Sequence, residues 1–170
     1  YKTDLFAGAI HTLEMLTGKN YDADEVARKA MRIVADHTRT TVMLIGDVNG
    51  ILPSNTGAGY ILRRLMRRAI RYCRQLGVEP ASTMCAVAAE FIDEVYGEAY
   101  PLLAQKKDYI LDEIKKEAER FETMLEKGMT EFEKCIAGIE RKNAFMAQKD
   151  PAYVPETVIG GKQAFRLYDT

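Results

Sequence analysis

The sequence predicts an all-α protein, a helical bundle with one long amphipathic helix and a small irregular C-terminal appendage. Apolar residues recur at steps of three and four along most of the 170 residues, which is the period of an amphipathic helix. Capping residues, glycines and prolines stand at the ends of most of these periodic segments. Only Val158 and Ile159 suggest a short strand, so helices dominate the predicted fold.

The composition limits the class of protein. A chain of 170 residues can form one domain with a real core or two small ones. Lysine and arginine number 24 against 25 aspartate and glutamate, and the net charge of -1 excludes a uniformly basic nucleic-acid binder while permitting a local basic patch. The 3 cysteines are far apart and lack zinc-site spacing, which indicates reduced thiols in a cytosolic protein. No apolar run approaches the roughly 20 residues of a membrane span and no signal peptide opens the chain, so we expect a cytoplasmic protein.

Two helices are predicted before the first long loop. Apolar residues at helical spacing indicate a helix over 4–16, and Gly18 ends it. Asp22 or Asp24 can cap a second helix, which runs to about Ile45. Because the chain opens on a residue other than methionine and enters a helix at once, we expect it to be a segment of something longer.

The third predicted helix, about 59–76, has two opposed faces. It follows a loop over 46–59 that contains four glycines and one proline. At about 100° per residue, the apolar side chains between Leu62 and Leu76 form one arc. The opposite arc consists of six arginines: Arg63, Arg64, Arg67, Arg68, Arg71 and Arg74.

The planar fork of arginine suits phosphate oxygens, and this face has six arginines and no lysine. No acidic residue stands at i±4 within the helix, so any carboxylate partner has to come from elsewhere in the chain. Two interpretations stay open on spacing alone. The face binds phosphate or nucleic acid, or it is a solvated face paired with carboxylates from other elements.

A fourth helix is predicted from a cap at Ser82 to Gly97, and a fifth and long helix from Pro101 to about 142. Roughly 40 residues at 1.5 Å per residue give a length of about 60 Å. Gly128 weakens this helix by about 1 kcal/mol relative to alanine, which makes a break there conceivable. Apolar residues at alternating steps of three and four form a seam along this helix: Leu111, Ile114, Ala118, Phe121, Leu125, Phe132, Cys135 and Ile139. Two partners stay open for this seam, the other helices of the same chain or a second chain.

The predicted domains are a helical part over 1–142 and a C-terminal extension over 143–170, which ends in a short helical stretch. Neither part contains a complete active site. His37 and His11 lack a partner constellation, and no Ser/His/Asp pattern, phosphate-binding loop or zinc motif occurs. The many carboxylates of the long helix alternate with positive charges, which is typical of the solvated face of an amphipathic helix. We therefore expect no catalytic residue, no metal and no cofactor in these residues.

Three segments, in this order, resemble the alanyl-tRNA synthetase family. They are "YKTDLF" at the start, "RIVADHTRTTVMLIGDVNGILPSNTGAGYILRRLMRRAIRYCRQLG" in the middle and "GKQAFRLYDT" at the end. The resemblance implies the helical middle domain, which lies between the class II catalytic domain and the editing domain and binds the tRNA acceptor stem. It also implies that the parent attaches alanine to tRNA(Ala) with ATP and Mg²⁺, and that zinc belongs to the editing domain.

The resemblance assigns base recognition to Asn55 in the "PSN" loop and Asp169 in "LYDT", which would hold the G·U wobble pair of the stem. Chemistry agrees, because a carboxylate accepts from the unpaired guanine 2-amino group and an amide donates to a displaced uracil carbonyl. The arginine face would hold the stem phosphates and position the RNA without specifying its sequence. Five residues would support the loop: Ser54, Thr56, Gly57, Gly59 and Tyr60.

The sequence departs from the family at Thr56 and Ala58, where many members carry glutamate and arginine. The implied partners are the tRNA(Ala) acceptor stem and the catalytic and editing domains of the same parent chain, with no membrane and no DNA. Two other functions stay open. One is a helical scaffold or dimerisation module with a solvated arginine face, and the other is an RNA-binding helical domain without base specificity.

Overall fold

In a computed structural model, the chain is described over the backbone of residues 1–169 and all of their side chains except those of Arg166, Tyr168 and Asp169. These residues form seven α-helices and one π-helical turn, and no strand occurs among them. The helices are α1 (Asp4–Thr17), α2 (Glu25–Gly46), α3 (Gly57–Leu76), α4 (Pro80–Glu90), α5 (Pro101–Gln105), α6 (Lys107–Lys149) and α7 (Gly161–Asp169), with the π-helical turn at Phe91–Tyr96. The all-α prediction is confirmed, and the short strand predicted at Val158 and Ile159 is wrong.

The predicted ends of the first three helices agree with the structure within about two residues. Asp24 is the cap of α2, since its carboxylate accepts hydrogen bonds from the backbone N–H groups of Val26 (2.9 Å) and Ala27 (3.0 Å). Gly18 and Gly77 follow the last residues of α1 and α3. These local signals act within a few residues of each other, which is why the sequence alone predicts them.

The cap of α4 is Glu79, so the prediction of Ser82 is wrong. The Glu79 carboxylate accepts from the backbone N–H groups of Ala81 (2.8 Å) and Ser82 (2.6 Å). Pro80 occupies the first helical position, where its missing N–H costs nothing, and this makes the preceding residue the cap. The segment ends near Gly97 as predicted, after the π-helical turn.

The predicted helix from Pro101 to 142 is two helices in the structure. The chain leaves helical geometry at Lys106 (φ -97°, ψ 8°), between α5 and α6. The Lys106 ammonium donates to the backbone carbonyl of Asp47 (2.6 Å), and Leu103 is buried against the Cα of Gly46, where a Cβ would lie 2.2 Å from Leu103 Cδ2. These contacts with the end of α2 explain a break that no glycine or proline marks. Helix α6 then continues through Gly128 as far as Lys149.

Two compact units divide the chain, Tyr1–Glu119 and Arg120–Thr170. The core of the first unit lies between α1, α2, α3, α4 and the start of α6. Its largest fully buried side chains include Leu13, Met31, Ile45, Leu62, Met66, Ile70, Met84, Phe91, Ile110 and Ile114. The seam of α6 therefore begins at Ile110 and not at Leu111, which is half-buried. Phe132, further along the seam, is 39% exposed.

The second unit contains a segment without regular secondary structure that side chains near the end of α6 hold in place. Lys142 forms an ion pair with Glu156, and Asn143 makes three hydrogen bonds. The Asn143 amide group donates to the Glu156 carbonyl (2.8 Å), and its oxygen accepts from the Glu156 N–H (2.9 Å). The Tyr153 hydroxyl donates to the same oxygen (2.8 Å). This pairing precedes α7. No helix among the described residues is long and apolar enough to cross a membrane.

Candidate nucleic-acid interface

The six arginines of α3 belong to two different environments. Arg63 and Arg67 are partly buried, with side-chain exposures of 16% and 27%. The other four, Arg64, Arg68, Arg71 and Arg74, are exposed. The predicted arc of six is therefore present along the helix, but only part of it is an open basic surface.

A buried carboxylate from α6 accounts for the two covered arginines. Glu117 is 2% exposed, and Arg67 Nε donates to its Oε1 (2.9 Å). The buried Arg63 Nε lies 3.3 Å from the same oxygen, an ion-pair distance without the alignment of a hydrogen bond. Burial of a carboxylate is costly unless it is paired, and here two guanidinium groups pair with it.

The prediction that the carboxylates of the long helix lie on its solvated side is wrong for Glu117, which is buried. A signal was present in the spacing, since Glu117 stands three residues after Ile114 and four before Phe121, both of which are buried. A carboxylate on a buried stripe requires a cationic partner, and the arginine helix was the nearest source of one.

The loop before α3 is held by its own backbone and by Ser54. The Ser54 N–H donates to the Gly59 carbonyl (3.1 Å), and its hydroxyl donates to the Thr56 carbonyl (2.8 Å). Gly57 has φ +58°, a conformation that favours glycine. A Cβ at Gly59 would lie 2.4 Å from the Leu52 carbonyl oxygen, so loop and helix approach too closely for any larger residue. The loop is therefore a defined structure that presents Asn55 and Thr56 to solvent.

The Asn55 side chain is exposed, and its Oδ1 accepts a hydrogen bond from Arg63 Nη1. Arg63 Nη2 also donates to the Pro53 carbonyl (3.2 Å). Because a guanidinium only donates, the Asn55 atom that faces it has to be the oxygen. The amide NH₂ of Asn55 is then left as a hydrogen-bond donor directed away from Arg63.

Tyrosines lie beneath two of the exposed arginines. The Arg64 guanidinium is 5.7 Å from the ring centre of Tyr60, and that of Arg68 is 6.0 Å from the ring centre of Tyr72. Contacts of this kind restrict a long side chain while leaving its N–H groups available. Tyr60, predicted as loop support, is 46% exposed, and its backbone N–H donates to the Thr56 carbonyl of the loop (3.2 Å).

Asp169, the other predicted base-recognition residue, has a side chain that lies outside the described residues. The structure gives its backbone position as the last residue of α7, in the second unit. Its predicted role therefore stays a prediction.

The titratable groups elsewhere do not form a catalytic constellation in the part of the chain that the structure describes. Burial lowers the pKa of His37, although its contact with Asp36 acts in the opposite direction and the charge of Arg68 lowers it further. Burial raises the pKa of the Cys85 thiol, which opposes formation of a nucleophilic thiolate. No group of three or more metal-ligating side chains occurs among the described residues.

Comparison with known proteins identifies the class of protein. The family model described as tRNA synthetases class II (A) matches residues 1–170, the whole chain. The chain belongs to this family of class II tRNA synthetases.

Within that class, the chain matches a segment of alanyl-tRNA synthetase, which confirms the resemblance of the three motifs. It is 43% identical over 176 residues to the alanine–tRNA ligase of Anaeromyxobacter dehalogenans, covering 100% of this chain and 19% of that protein. The ligase of Exiguobacterium sibiricum is 39% identical over 170 residues, with 100% and 18% covered. That of Borrelia hermsii is 36% identical over 170 residues, with 100% and 26% covered. The chain thus spans about a fifth to a quarter of the length of these relatives.

Proposed function

We propose that this chain is the acceptor-stem recognition segment of an alanine–tRNA ligase. It reads the G·U wobble pair of tRNA(Ala) so that the longer enzyme attaches alanine to that tRNA with ATP and Mg²⁺. Residues 1–142 bind the stem, and the extension over 143–170 carries Asp169 to it. The catalytic domain and the zinc-containing editing domain are partners in the same longer chain and supply the chemistry.

The orientation of the Asn55 amide is the observation that carries this proposal. Arg63 occupies its oxygen, so the group directed outward is the NH₂ donor. In a G·U wobble pair the uracil carbonyls are displaced into the grooves, where a donor reaches them. Cytosine carries an amino donor at the position of the uracil O4 carbonyl, so in a G·C pair the same NH₂ group loses that acceptor.

The exposed arginines supply the sequence-independent part of binding. Arg64, Arg68 and Arg71 stand on successive turns of one helix and face solvent. Each contact with a phosphate releases condensed counterions, which makes the affinity fall as salt is raised. These arginines hold the stem while Asn55 and Asp169 read the pair.

The test is binding of the chain to acceptor-stem minihelices that differ only in carrying G·U or G·C at the third pair, across a salt series. We expect Asn55→Ala and Asp169→Ala each to erase most of the preference for G·U. Arg71→Gln should weaken both stems alike and lower the salt slope by about one. Arg141→Gln, which removes an exposed arginine of α6, is the matched control and should change neither quantity.

The outcome also separates the competing functions. Equal binding of both stems with a steep salt dependence would mean that α3 is a phosphate clamp without base specificity. Absence of binding at low salt, together with association at high protein concentration, would favour the scaffold. The observation on which that scaffold would rest is the exposure of two large apolar side chains of α6, Met129 and the seam residue Phe132.

A further inference from the structure

We infer that Glu117 is a positioning residue for base recognition, because it fixes Arg63 and through Arg63 the Asn55 amide. The inference rests on the proposed function of Asn55 and adds a residue that neither contacts nor faces the RNA. It joins the buried side of α6 to the exposed loop before α3 through a continuous series of contacts within the first unit.

The first step is the pairing of Glu117 with two arginines through one oxygen. Arg67 Nε and Arg63 Nε lie 2.9 and 3.3 Å from Glu117 Oε1. Two guanidinium groups this close repel each other, and the carboxylate between them offsets that repulsion. With Glu117 in place, Arg63 keeps its inner end beside α6, and its outer nitrogens remain beside the loop.

The second step is that each nitrogen of the Arg63 guanidinium faces a different partner. Nε faces Glu117, Nη1 donates to the Asn55 oxygen, and Nη2 donates to the Pro53 carbonyl. The planar group has the geometry for three such partners at once, and a lysine ammonium lacks the rigid fork that they need. Asn55 is an exposed side chain in a loop, so without Arg63 its amide would rotate freely between orientations.

The consequence is specific to base recognition. If the Arg63 guanidinium moves away, Asn55 presents oxygen and NH₂ to the RNA alternately, and its preference for a carbonyl acceptor falls. Phosphate binding by Arg64, Arg68 and Arg71 does not depend on this network. Loss of Glu117 should therefore reduce discrimination between stems and leave the affinity for a G·C stem nearly unchanged.

The main variant is Glu117→Gln, and Glu113→Gln is its matched control. Glu113 stands one turn earlier on α6 and pairs with Lys116 (2.9 Å). We expect Glu117→Gln to lower the ratio of G·U to G·C affinity about tenfold, within the range that a base contact supplies. Glu113→Gln should leave that ratio unchanged. In Asn55→Ala, adding Glu117→Gln should lower the ratio no further.

A second readout follows Asn55 directly and needs no RNA. In the ¹⁵N-labelled chain, the side-chain NH₂ resonances of Asn55 are assigned by their absence in Asn55→Ala. We expect Glu117→Gln to shift them and to reduce their heteronuclear NOE, while Glu113→Gln changes neither. Arg63→Lys keeps the positive charge and should give the same shift and the same lower heteronuclear NOE. This variant provides the test if Glu117→Gln does not fold.

These measurements separate the failure of each idea. If Asn55→Ala erases the G·U preference while Glu117→Gln and Arg63→Lys retain it, the positioning role is refuted and the proposed function stands. If Asn55→Ala leaves the preference intact, the proposed function fails at Asn55, and the inference that Glu117 serves recognition fails with it. Unchanged Asn55 resonances in both variants would refute the contact network itself.

Discussion

Replacement of Gly59 by alanine tests whether the close approach between loop and helix determines the position of Asn55. A Cβ at residue 59 would lie 2.4 Å from both the Leu52 carbonyl oxygen and the Ser54 hydroxyl oxygen. The first of these belongs to the backbone and cannot rotate away, so the loop has to move. Overpacking of this kind costs about 1–3 kcal/mol. The intrinsic helix preference of alanine returns about 1 kcal/mol, so we expect a net loss of up to about 2 kcal/mol.

Urea unfolding followed by circular dichroism measures this loss, and minihelix binding measures its functional consequence. Because the Ser54 N–H donates to the Gly59 carbonyl, displacement of the loop should also move Asn55 and lower the preference for a G·U stem. The affinity for a G·C stem should change little, since the exposed arginines start one turn further along α3. Gly59→Ala with the stability and G·U preference of the parent chain would refute the reasoning, because the loop would then have room that the structure does not show.

Three further predictions concern stability alone. Gly128→Ala should stabilise α6 by about 1 kcal/mol in thermal unfolding, since apart from the adjacent backbone of α6 no described atom lies within 4 Å of the added Cβ. Burial lowers the pKa of His37 below 6.5, so folding favours the neutral imidazole. The free energy of unfolding should therefore be highest above about pH 6.5 and fall as the pH drops through the lowered pKa, because the unfolded chain binds the proton more readily. His37→Gln should flatten this dependence in urea unfolding at pH 5 to 7.5, and His11→Gln, an exposed control, should not. Burial acts to raise the pKa of Glu79, but hydrogen bonds from Ser82 and Ala81 lower it overall below 4.5. The stabilisation from this cap should therefore be fully present above about pH 4.5 and be lost as the pH falls through the lowered pKa. Glu79→Gln should remove this pH-dependent part, which lowers the free energy of unfolding at neutral pH by about 0.5 kcal/mol.

Sequence reasoning predicted the elements whose signals are local. The ends of α1, α2 and α3 depend on Gly18, Asp24 and Gly77, each of which acts on backbone groups within a few residues. The amphipathic period of α3 likewise defined its buried face, with Leu62 and Met66 fully buried as the pattern requires.

The errors arose where distant contacts decide the local geometry. The break at Lys106 follows from contacts with residues about sixty positions earlier in the chain, and its own sequence is a good helix former. Val158 and Ile159 have the residue type of a strand, but the adjacent segment pairs with the Asn143 side chain, and no second strand is present beside it in the described residues.

The division of the arginine face could be predicted only in part, and the reason is geometric. Helical spacing puts six arginines on one arc, but it cannot say which of them another helix covers. That depends on where α6 crosses α3, and Glu117 marks the crossing from the other side. A carboxylate on an otherwise apolar stripe is costly to bury alone, so its presence there implies a cation opposite. Taken together, the two helices predict what neither predicts alone: Arg63 and Arg67, on the side of α3 that meets Glu117, serve the protein's own structure, while Arg64, Arg68 and Arg71 remain exposed to solvent.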